Sequence, residues 1–367
     1  MNIGFIGAGQ IANTMAYTMQ RMEDVNLYAV AARDLDRAEA FAAQYGFEKA
    51  YGSYGEMLLD PNVELVYIAT PHSHHAEHMK LCIAHGKHVL CEKAFTLNAA
   101  QAREVAALAK EKGIYVAEAI WTRYMPSRAM INEVLASGVI GNITAMTANL
   151  CYPVSAQERC IRPELAGGAL LDVGVYCLNF ALMHFGDDIE RMVSTVRMAH
   201  TGVDAQESIT LCYPDGRMAV LTASIISRAD SNGIFYGDKG YILVENIKNP
   251  QSISVYNLQN PLVEKIPVPA QITGYEYQIQ EAMSRIRSGE IESISMPLHE
   301  SIAVMERMDA LRKDWGFVYP MERYKRTRHC EPGRTLVWQS PKVSGNLRGL
   351  HHRHSLRSPR RAAPSSQ

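Results

Sequence analysis

Twelve residues at the N-terminus narrow the possible folds more than any other stretch of this chain. Asn2-Ile3-Gly4-Phe5-Ile6 reads as a short buried strand, and Gly7-Ala8-Gly9-Gln10-Ile11-Ala12 follows it as G-x-G-x-x-A, opening a helical pattern. Gly7 permits a tight turn, Gly9 lets the backbone approach a pyrophosphate, and the small Ala12 lets the helix pack closely on the strand. The helix start also presents unpaired N–H groups and the positive end of the helix dipole. Alone the motif is weak, because glycine turns between strand and helix are common. At the head of several strand–helix repeats it specifies a dinucleotide-binding fold.

Those repeats are present. Strands are expected at Ile3–Ile6, Leu27–Ala31, Leu65–Ala69, His88–Cys91 and Tyr115–Ala117, with helices such as Asp36–Tyr45 and Ala99–Lys110 between them. Asn98 suits a helix N-cap, and Gly46 and Gly113 suit C-caps. Alternation of this kind builds a parallel α/β sheet. After Trp121 the pattern changes. A helix at Pro126–Ala136 precedes strands at Ile143–Cys151, Met192–Ala199, Ser208–Tyr213, Ala219–Ser224 and Tyr241–Val244. Turn signals at Pro214-Asp215-Gly216 and Gly237-Asp238-Lys239-Gly240 separate several of them. Further helices are expected near Gly168–Phe185, Glu276–Ser288 and Leu298–Trp315. The fold class is therefore α/β: a Rossmann domain over 1–121, then an α+β domain over 122–322 with a large open, mostly antiparallel sheet. That sheet can serve as a dimer surface or as a substrate wall.

A length of 367 residues suits two such domains, and 47% apolar with 20% charged residues is ordinary globular composition. The net charge of −1 conceals an asymmetry: from Lys325 onward there are ten Lys or Arg and one acid, Glu331, so the body before it is strongly acidic. An acidic body disfavours nucleic-acid binding. Residues 323–367 lose apolar periodicity and read as a basic, mostly disordered tail, either functional or unrelated to the fold, such as out-of-frame sequence. No apolar run is expected to span a bilayer, and no signal peptide precedes the first strand, so a cytoplasmic location is expected. Seven scattered cysteines without a CxxC pair fit reduced thiols.

The end of the second strand bears on the cofactor. An NAD enzyme usually places an acid there to hold the ribose hydroxyls. Here the strand ends Ala31-Ala32-Arg33: small residues leave room for a 2′-phosphate, and Arg33 can pair with it. Asp34 reads as the cap of the following helix. NADP(H) is the expected cofactor, with NAD possible. The stretch His72, His74, His75, His78, His85, His88 invites a metal reading, yet no completing ligand is in place. The alternative, preferred here, is that His72 and His74 line the mouth of a cofactor cleft.

Four further pieces fall in order: Thr70-Pro71-His72, Cys91-Glu92-Lys93, Glu118-Ala119-Ile120-Trp121-Thr122-Arg123, and Gly167-Gly168-Ala169-Leu170-Leu171-Asp172-Val173-Gly174-Val175-Tyr176. With the glycine loop, the chain over roughly residues 1–320 resembles the Gfo/Idh/MocA oxidoreductases, in particular the branch of dimeric dihydrodiol dehydrogenase and NADP-dependent D-xylose dehydrogenase. The resemblance implies that Lys93 lies beside the nicotinamide and the substrate hydroxyl, although Ala94 stands where the family's Glu-Lys-Pro has proline. It maps the second-domain acid and tyrosine to Asp172 and Tyr176, and it implies a homodimer through the second sheet. Contacts to the cofactor are expected from Gly7, Ala8, Gly9, Gln10, Ile11, Arg33, Thr70, Pro71, His74, Glu92, Lys93, Trp121 and Arg123. For the last two, a core tryptophan and a surface arginine are the competing reading.

Moving a hydride off an alcohol requires a proton acceptor and a field that favours the alkoxide. A tyrosine near a lysine ammonium can act so, because the positive charge lowers the phenol's pKa. Asp172 and Tyr176, spaced i, i+4, are expected on one helix face. The expected roles are Tyr176 as acid/base, Lys93 orienting the substrate and tuning Tyr176, and Asp172 binding a second hydroxyl or holding the lysine. The expected activity is an NADP(H)-dependent dehydrogenase acting on a sugar, polyol or cyclic dihydrodiol. A non-catalytic NADP(H)-binding sensor or scaffold is the alternative.

Overall fold

In a computed structural model of the chain, residues 1–259 and 262–327 are described. The chain opens with strand β1 (Asn2–Ile6), helix α1 (Gln10–Met19), β2 (Asn26–Ala31), α2 (Leu35–Tyr45), β3 (Lys49–Tyr51) and α3 (Tyr54–Leu59). Next come β4 (Leu65–Ile68), α4 (His75–Ala84), β5 (His88–Glu92), α5 (Ala99–Lys112) and β6 (Val116–Ala119). All six strands are parallel, in the order β3-β2-β1-β4-β5-β6. Parallel strands covered by helices on both faces are apolar throughout, and β4 (LVYI) and β6 are buried at every position. The strand order reverses between β1 and β4, which opens a crevice above their carboxyl ends.

Local signals set the helix ends. The Asp34 carboxylate accepts the Asp36 N–H at 3.1 Å, and Asn98 accepts the Gln101 N–H at 3.0 Å. Gly46 and Gly113 close α2 and α5 in the left-handed conformation, at φ of 75° and 66°.

Helix α6 (Pro126–Ala136) leads to β7 (Ile143–Cys151), the short α7 (Glu158–Ile161), a π-helical turn at Leu170–Gly174, and α8 (Val175–Phe185). Strands β8 (Arg191–Met198), β9 (Asp204–Cys212), β10 (Met218–Ser224), β11 (Gly233–Gly237), β12 (Gly240–Val244), β13 (Ser252–Asn257) and β14 (Glu264–Pro267) follow. They form an eight-stranded sheet, β14-β13-β12-β11-β7-β10-β9-β8, antiparallel except for the β7–β10 pair. One sheet face packs on α8 and the π-turn. The other leaves Val193, Met218, Val220, Tyr236 and Tyr241 exposed. Helices α9 (Glu276–Arg287), α10 (Leu298–Asp314) and α11 (Pro320–Thr327) complete the described chain. Arg312 of α10 donates to the Leu97 carbonyl at 3.2 Å and to Glu322 at 2.8 Å, while Asn98 donates to Glu322 at 2.8 Å, which ties the last two helices to the start of α5.

Several sequence expectations need correction. Strands β3, β11, β13 and β14 are additions: β3 is only three residues long, and β11 is bracketed by glycines. Gly233 is there because a Cβ would come within 2.5 Å of the Phe180 ring. The expected helix near Gly168–Phe185 begins as a π-turn. The stretch Pro163–Phe185 does have the length and hydropathy of a membrane span, contrary to expectation, but 94% of that window is buried inside the protein. The expected tail boundary at Arg323 is also moved, since α11 continues to Thr327. The rest of that tail lies outside the described residues.

Candidate active site

The crevice above β1, β2, β4 and β5 is a cavity of about 1070 Å³ that extends to the π-turn and the second sheet. Gly7, Ala8, Gly9, Gln10 and Ile11 form one wall, Arg33 the far rim, Thr70 and Pro71 the floor, and Glu92 and Lys93 the passage toward Asp172 and Tyr176. All of these expected site residues therefore line one space.

The glycine loop has the shape of a phosphate cradle. Gly7 takes φ +99°, and a Cβ there would lie 3.0 Å from the Ala69 carbonyl oxygen, so only glycine fits. At Gly9 a Cβ would meet nothing closer than 3.9 Å, so the absence of a side chain serves the open cleft and not internal packing. Helix α1 starts at Gly9 without a side-chain cap and without an acid in its first turn. Its N–H groups remain available to an anion. These features fit the pyrophosphate of a dinucleotide. Asp34 is occupied as the α2 cap, and Arg33, exposed on the rim, makes no ion pair among the described residues. One turn on, Arg37 also lines the cleft and donates to the Ala8 carbonyl at 2.8 Å, bracing the loop.

At the other end, Lys93 follows β5. Its Nζ donates to the Asp172 backbone oxygen at 2.5 Å, lies 3.4 Å from Asp172 Oδ1, and sits 4.9 Å from the centre of the Tyr176 ring. The chain beyond it carries Ala94 in place of proline and is held by other bonds. The His75 ring meets the Ala94 carbonyl at 2.8 Å, and Glu118 accepts the Phe95 N–H at 3.1 Å. Glu92 accepts from the Tyr67 hydroxyl, and its burial pushes its pKa up.

Burial would also raise the Asp172 carboxyl, but the charges of Lys93 and Arg159 outweigh it and hold the group well below the usual carboxylate range. Arg159 Nη1 reaches Asp172 Oδ1 at 2.7 Å. The π-turn keeps Asp172 and Tyr176 on a common face, as the i, i+4 spacing anticipates, through a wider helical turn than expected. Gly174 within it leaves room for Glu207, whose Oε1 would lie 2.5 Å from a Cβ at that position.

The Tyr176 phenol departs from expectation. Burial, and after it the neighbouring Tyr275, push its pKa well above the ordinary value. The nearby Lys93 charge does not outweigh this burial; its hydrogen bonds go to Asp172, and its Nζ lies 4.9 Å from the ring centre. The group that does favour the ionised phenol is Trp121, whose indole N–H donates to the Tyr176 oxygen at 3.1 Å. The indole stacks on Tyr275 at 4.0 Å between ring centroids.

Three residues expected at the cofactor are not among those lining the cavity: His74, Trp121 and Arg123. His74 turns back to Ser73 Oγ at 2.8 Å and packs on His78, while His72 lines the cleft. Trp121 lies against Tyr176 instead, through the indole hydrogen bond to its oxygen. Arg123 is not a surface residue: it is 2% exposed, with Nε on Asn179 Oδ1 at 2.5 Å and its end on Glu300. Burial pushes the neutral form of His72, whose pKa falls to about 3, and of His75, to about 4. Among the described residues, no group of three His, Cys, Asp or Glu is placed to hold a metal ion.

Sequence reasoning missed Arg37, Tyr54, Tyr152, Arg159, Lys248 and Tyr275, all of which line the cavity. Arg37 had a signal, one turn beyond Arg33 on α2. Lys248 and Tyr275 arrive on loops far away in sequence and had none.

Comparison with known proteins agrees with this layout. The family model for oxidoreductases with an NAD-binding Rossmann fold matches residues 1–119, and that for the Gfo/Idh/MocA C-terminal domain matches 129–243. Trans-1,2-dihydrobenzene-1,2-diol dehydrogenase of Mus musculus is 37% identical over 331 residues, covering 87% of this chain and 98% of that protein. The Homo sapiens enzyme of the same name is 34% identical over 328 residues, covering 87% and 98%. A 3-ketoreductase from Actinomadura kijaniata, solved with NADP and TDP-benzene, superposes with a TM-score of 0.79 at 26% identity, over 85% of this chain and 97% of that one. With a dinucleotide cradle, a conjoined polar pocket and these matches along both sheets, the chain belongs to the Gfo/Idh/MocA family of oxidoreductases.

Proposed function

We propose that this oxidoreductase uses NADP(H) to interconvert a hydroxyl and a carbonyl group on a sugar, polyol or cyclic dihydrodiol, with Tyr176 as the proton-transfer residue. The observation that carries the reading is the convergence of Lys93, Asp172 and Tyr176 at one end of the cavity whose other end is the glycine loop. When bound, the nicotinamide supplies or accepts the hydride. Gly7, Gly9, the α1 N-terminus, Arg33 and Arg37 would hold the dinucleotide, and Thr70, Pro71 and Glu92 would border it.

A phenol kept protonated by burial suits proton donation to a carbonyl oxygen, so reduction draws on Tyr176 in its resting state. Oxidation requires it to accept a proton, and the Trp121 N–H and the nearby Lys93 charge favour the ionised form at that moment. Lys93, anchored by Asp172, presents a cation beside the oxygen that gains negative charge. The names of the relatives, diol dehydrogenases and a 3-ketoreductase solved with NADP, support both the substrate class and the cofactor. We assign residues 1–121 to dinucleotide binding and 122–322 to substrate binding and homodimerisation. The exposed Val193, Met218, Val220, Tyr236 and Tyr241 on the open sheet face support that pairing.

The test is absorbance near ~340 nm, where reduced nicotinamide absorbs, with NADP⁺ or NADPH and a panel of aldoses, polyols, dihydrodiols and matching carbonyl compounds. Turnover with NADP(H), absent from Tyr176→Phe, is the expected result. Tight cofactor binding without turnover in either direction would favour a sensor or scaffold instead.

A further inference from the structure

Lys248 is a cation of this cavity that the proposed reaction leaves without a task. It follows β12 on the loop Asn246–Pro250 and reaches the cavity beside Tyr152 and Tyr176. Its Nζ stands 5.3 Å from the Tyr152 ring centre and 6.0 Å from that of Tyr176. Among the described residues it makes no hydrogen bond and no ion pair. The faces of two tyrosines are its nearest partners, and they attract a cation far less than a carboxylate does.

The charges around it are already matched to one another. Asp172 is shared by Lys93 and Arg159, at 3.4 and 2.7 Å. Glu92 is buried on Tyr67. Three cations, Lys93, Arg159 and Lys248, therefore face the substrate end of the cavity, and only Asp172 is paired with any of them. Burial, and then the charge of Lys93, push the Lys248 ammonium down from its ordinary value, as expected of a cation lacking its anion.

We propose that Lys248, with Arg159 behind it, binds an anionic oxygen group, a carboxylate or a phosphate, on the substrate at a position remote from the reacting carbon. The inference rests on the proposed oxidoreductase reading and narrows its substrate class from neutral polyols to acidic or phosphorylated ones. A half-buried cation that gains its counter-ion discriminates against a neutral analogue, because that analogue leaves the ammonium without its anion.

The test uses pairs of compounds that differ in one group: D-glucose, D-glucuronate and D-glucose 6-phosphate, with the matching pentose and polyol series. Each is measured with the full-length protein for kcat/KM and, separately, for binding to the NADP(H)-loaded protein by calorimetry. The expected result is a preference for one anionic member of about tenfold or more over its neutral partner. Lys248→Met collapses that ratio and Lys248→Arg preserves it. Whether the carboxylate or the phosphate member wins identifies the source of the anion. Turnover of neutral compounds with no gain from either anion would overturn this proposal and leave the oxidoreductase reading intact. Anion-selective, Lys248-dependent binding without any turnover would support the anion site while the proposed reaction failed. No selectivity in binding or in turnover would reject the anion site.

Discussion

Lys93 lies over the ring of Tyr176, 4.9 Å from its centre, while its hydrogen bonds run to Asp172. The lysine therefore does not donate to the phenol. Its charge is fixed in place by the carboxylate and acts on whatever sits in front of both residues. Under the proposed reaction, Asp172 is the anchor, Lys93 the field, and Tyr176 the proton carrier.

Replacing Tyr176 by phenylalanine keeps the ring and removes only the proton carrier. Turnover is expected to fall by about 10²- to 10⁴-fold. Dinucleotide affinity should persist, since Tyr176 stands at the opposite end of the cavity from the glycine loop. Steady-state rates combined with cofactor titration by fluorescence check both parts.

Trp121 is expected to matter for the same step without touching the cavity. Trp121→Phe retains an aromatic ring against Tyr275 but loses the N–H that reaches the Tyr176 oxygen at 3.1 Å. That bond favours the ionised phenol, so its loss should lower kcat for alcohol oxidation by roughly tenfold, in line with one lost hydrogen bond to a group that becomes charged. The limb of the pH–rate profile that reports Tyr176 should move to higher pH. An unchanged profile would remove Trp121 from the mechanism.

Arg33 is exposed at the end of β2, with no ion pair among the described residues, and Asp34 beside it is committed to capping α2. Arg33→Ser should raise the KM for NADP⁺ by about tenfold or more and leave that for NAD⁺ nearly unchanged, because only the former carries the extra phosphate. Equal effects on both cofactors would show that Arg33 does not read the 2′-phosphate.

Asp204 offers a pH test of stability away from the chemistry. It is fully buried, accepts the Leu170 N–H at 2.5 Å, and its burial pushes the carboxyl pKa up to about 6. Between the unfolded value near ~4 and the folded value, the native state binds more protons than the unfolded one. Its contribution to stability is therefore greatest below that window and is lost as pH rises through it. Two pKa units correspond to about 3 kcal/mol. Asp204→Asn should abolish this component, so the stability difference between variant and parent in chemical denaturation should change between about pH 4 and 6 and level off above. A pH-independent difference would contradict the assignment.

How much of this was legible in the residues depends on the range of the interactions involved. The Gly7–Ala12 loop, the Asp34 and Asn98 caps and the left-handed Gly46 and Gly113 were readable because each answers to sterics or hydrogen bonds within a few residues. Lys93, Asp172 and Tyr176 could be singled out as candidates because they stand at set places within recurring motifs. The aim of neighbouring side chains was not. His74 turns to Ser73, Trp121 reaches Tyr176 from beneath the cavity, and Arg123 is drawn inward by Asn179 and Glu300, 56 and 177 positions later. For Trp121 and Arg123, no local pattern encodes partners at those distances.

The short-range code thus determines a parallel dinucleotide-binding sheet and its cradle, and it singles out the residues proposed for the chemistry. Tertiary packing decides what surrounds them. The β12–β13 loop and the turn before α9 bring Lys248 and Tyr275 into the cavity, burial holds Tyr176 protonated against the nearby positive charge, and Asp172 takes up the lysine's hydrogen bonds. Desolvation and charge pairing depend on every element that closes over a group, so they exist only once both sheets are assembled.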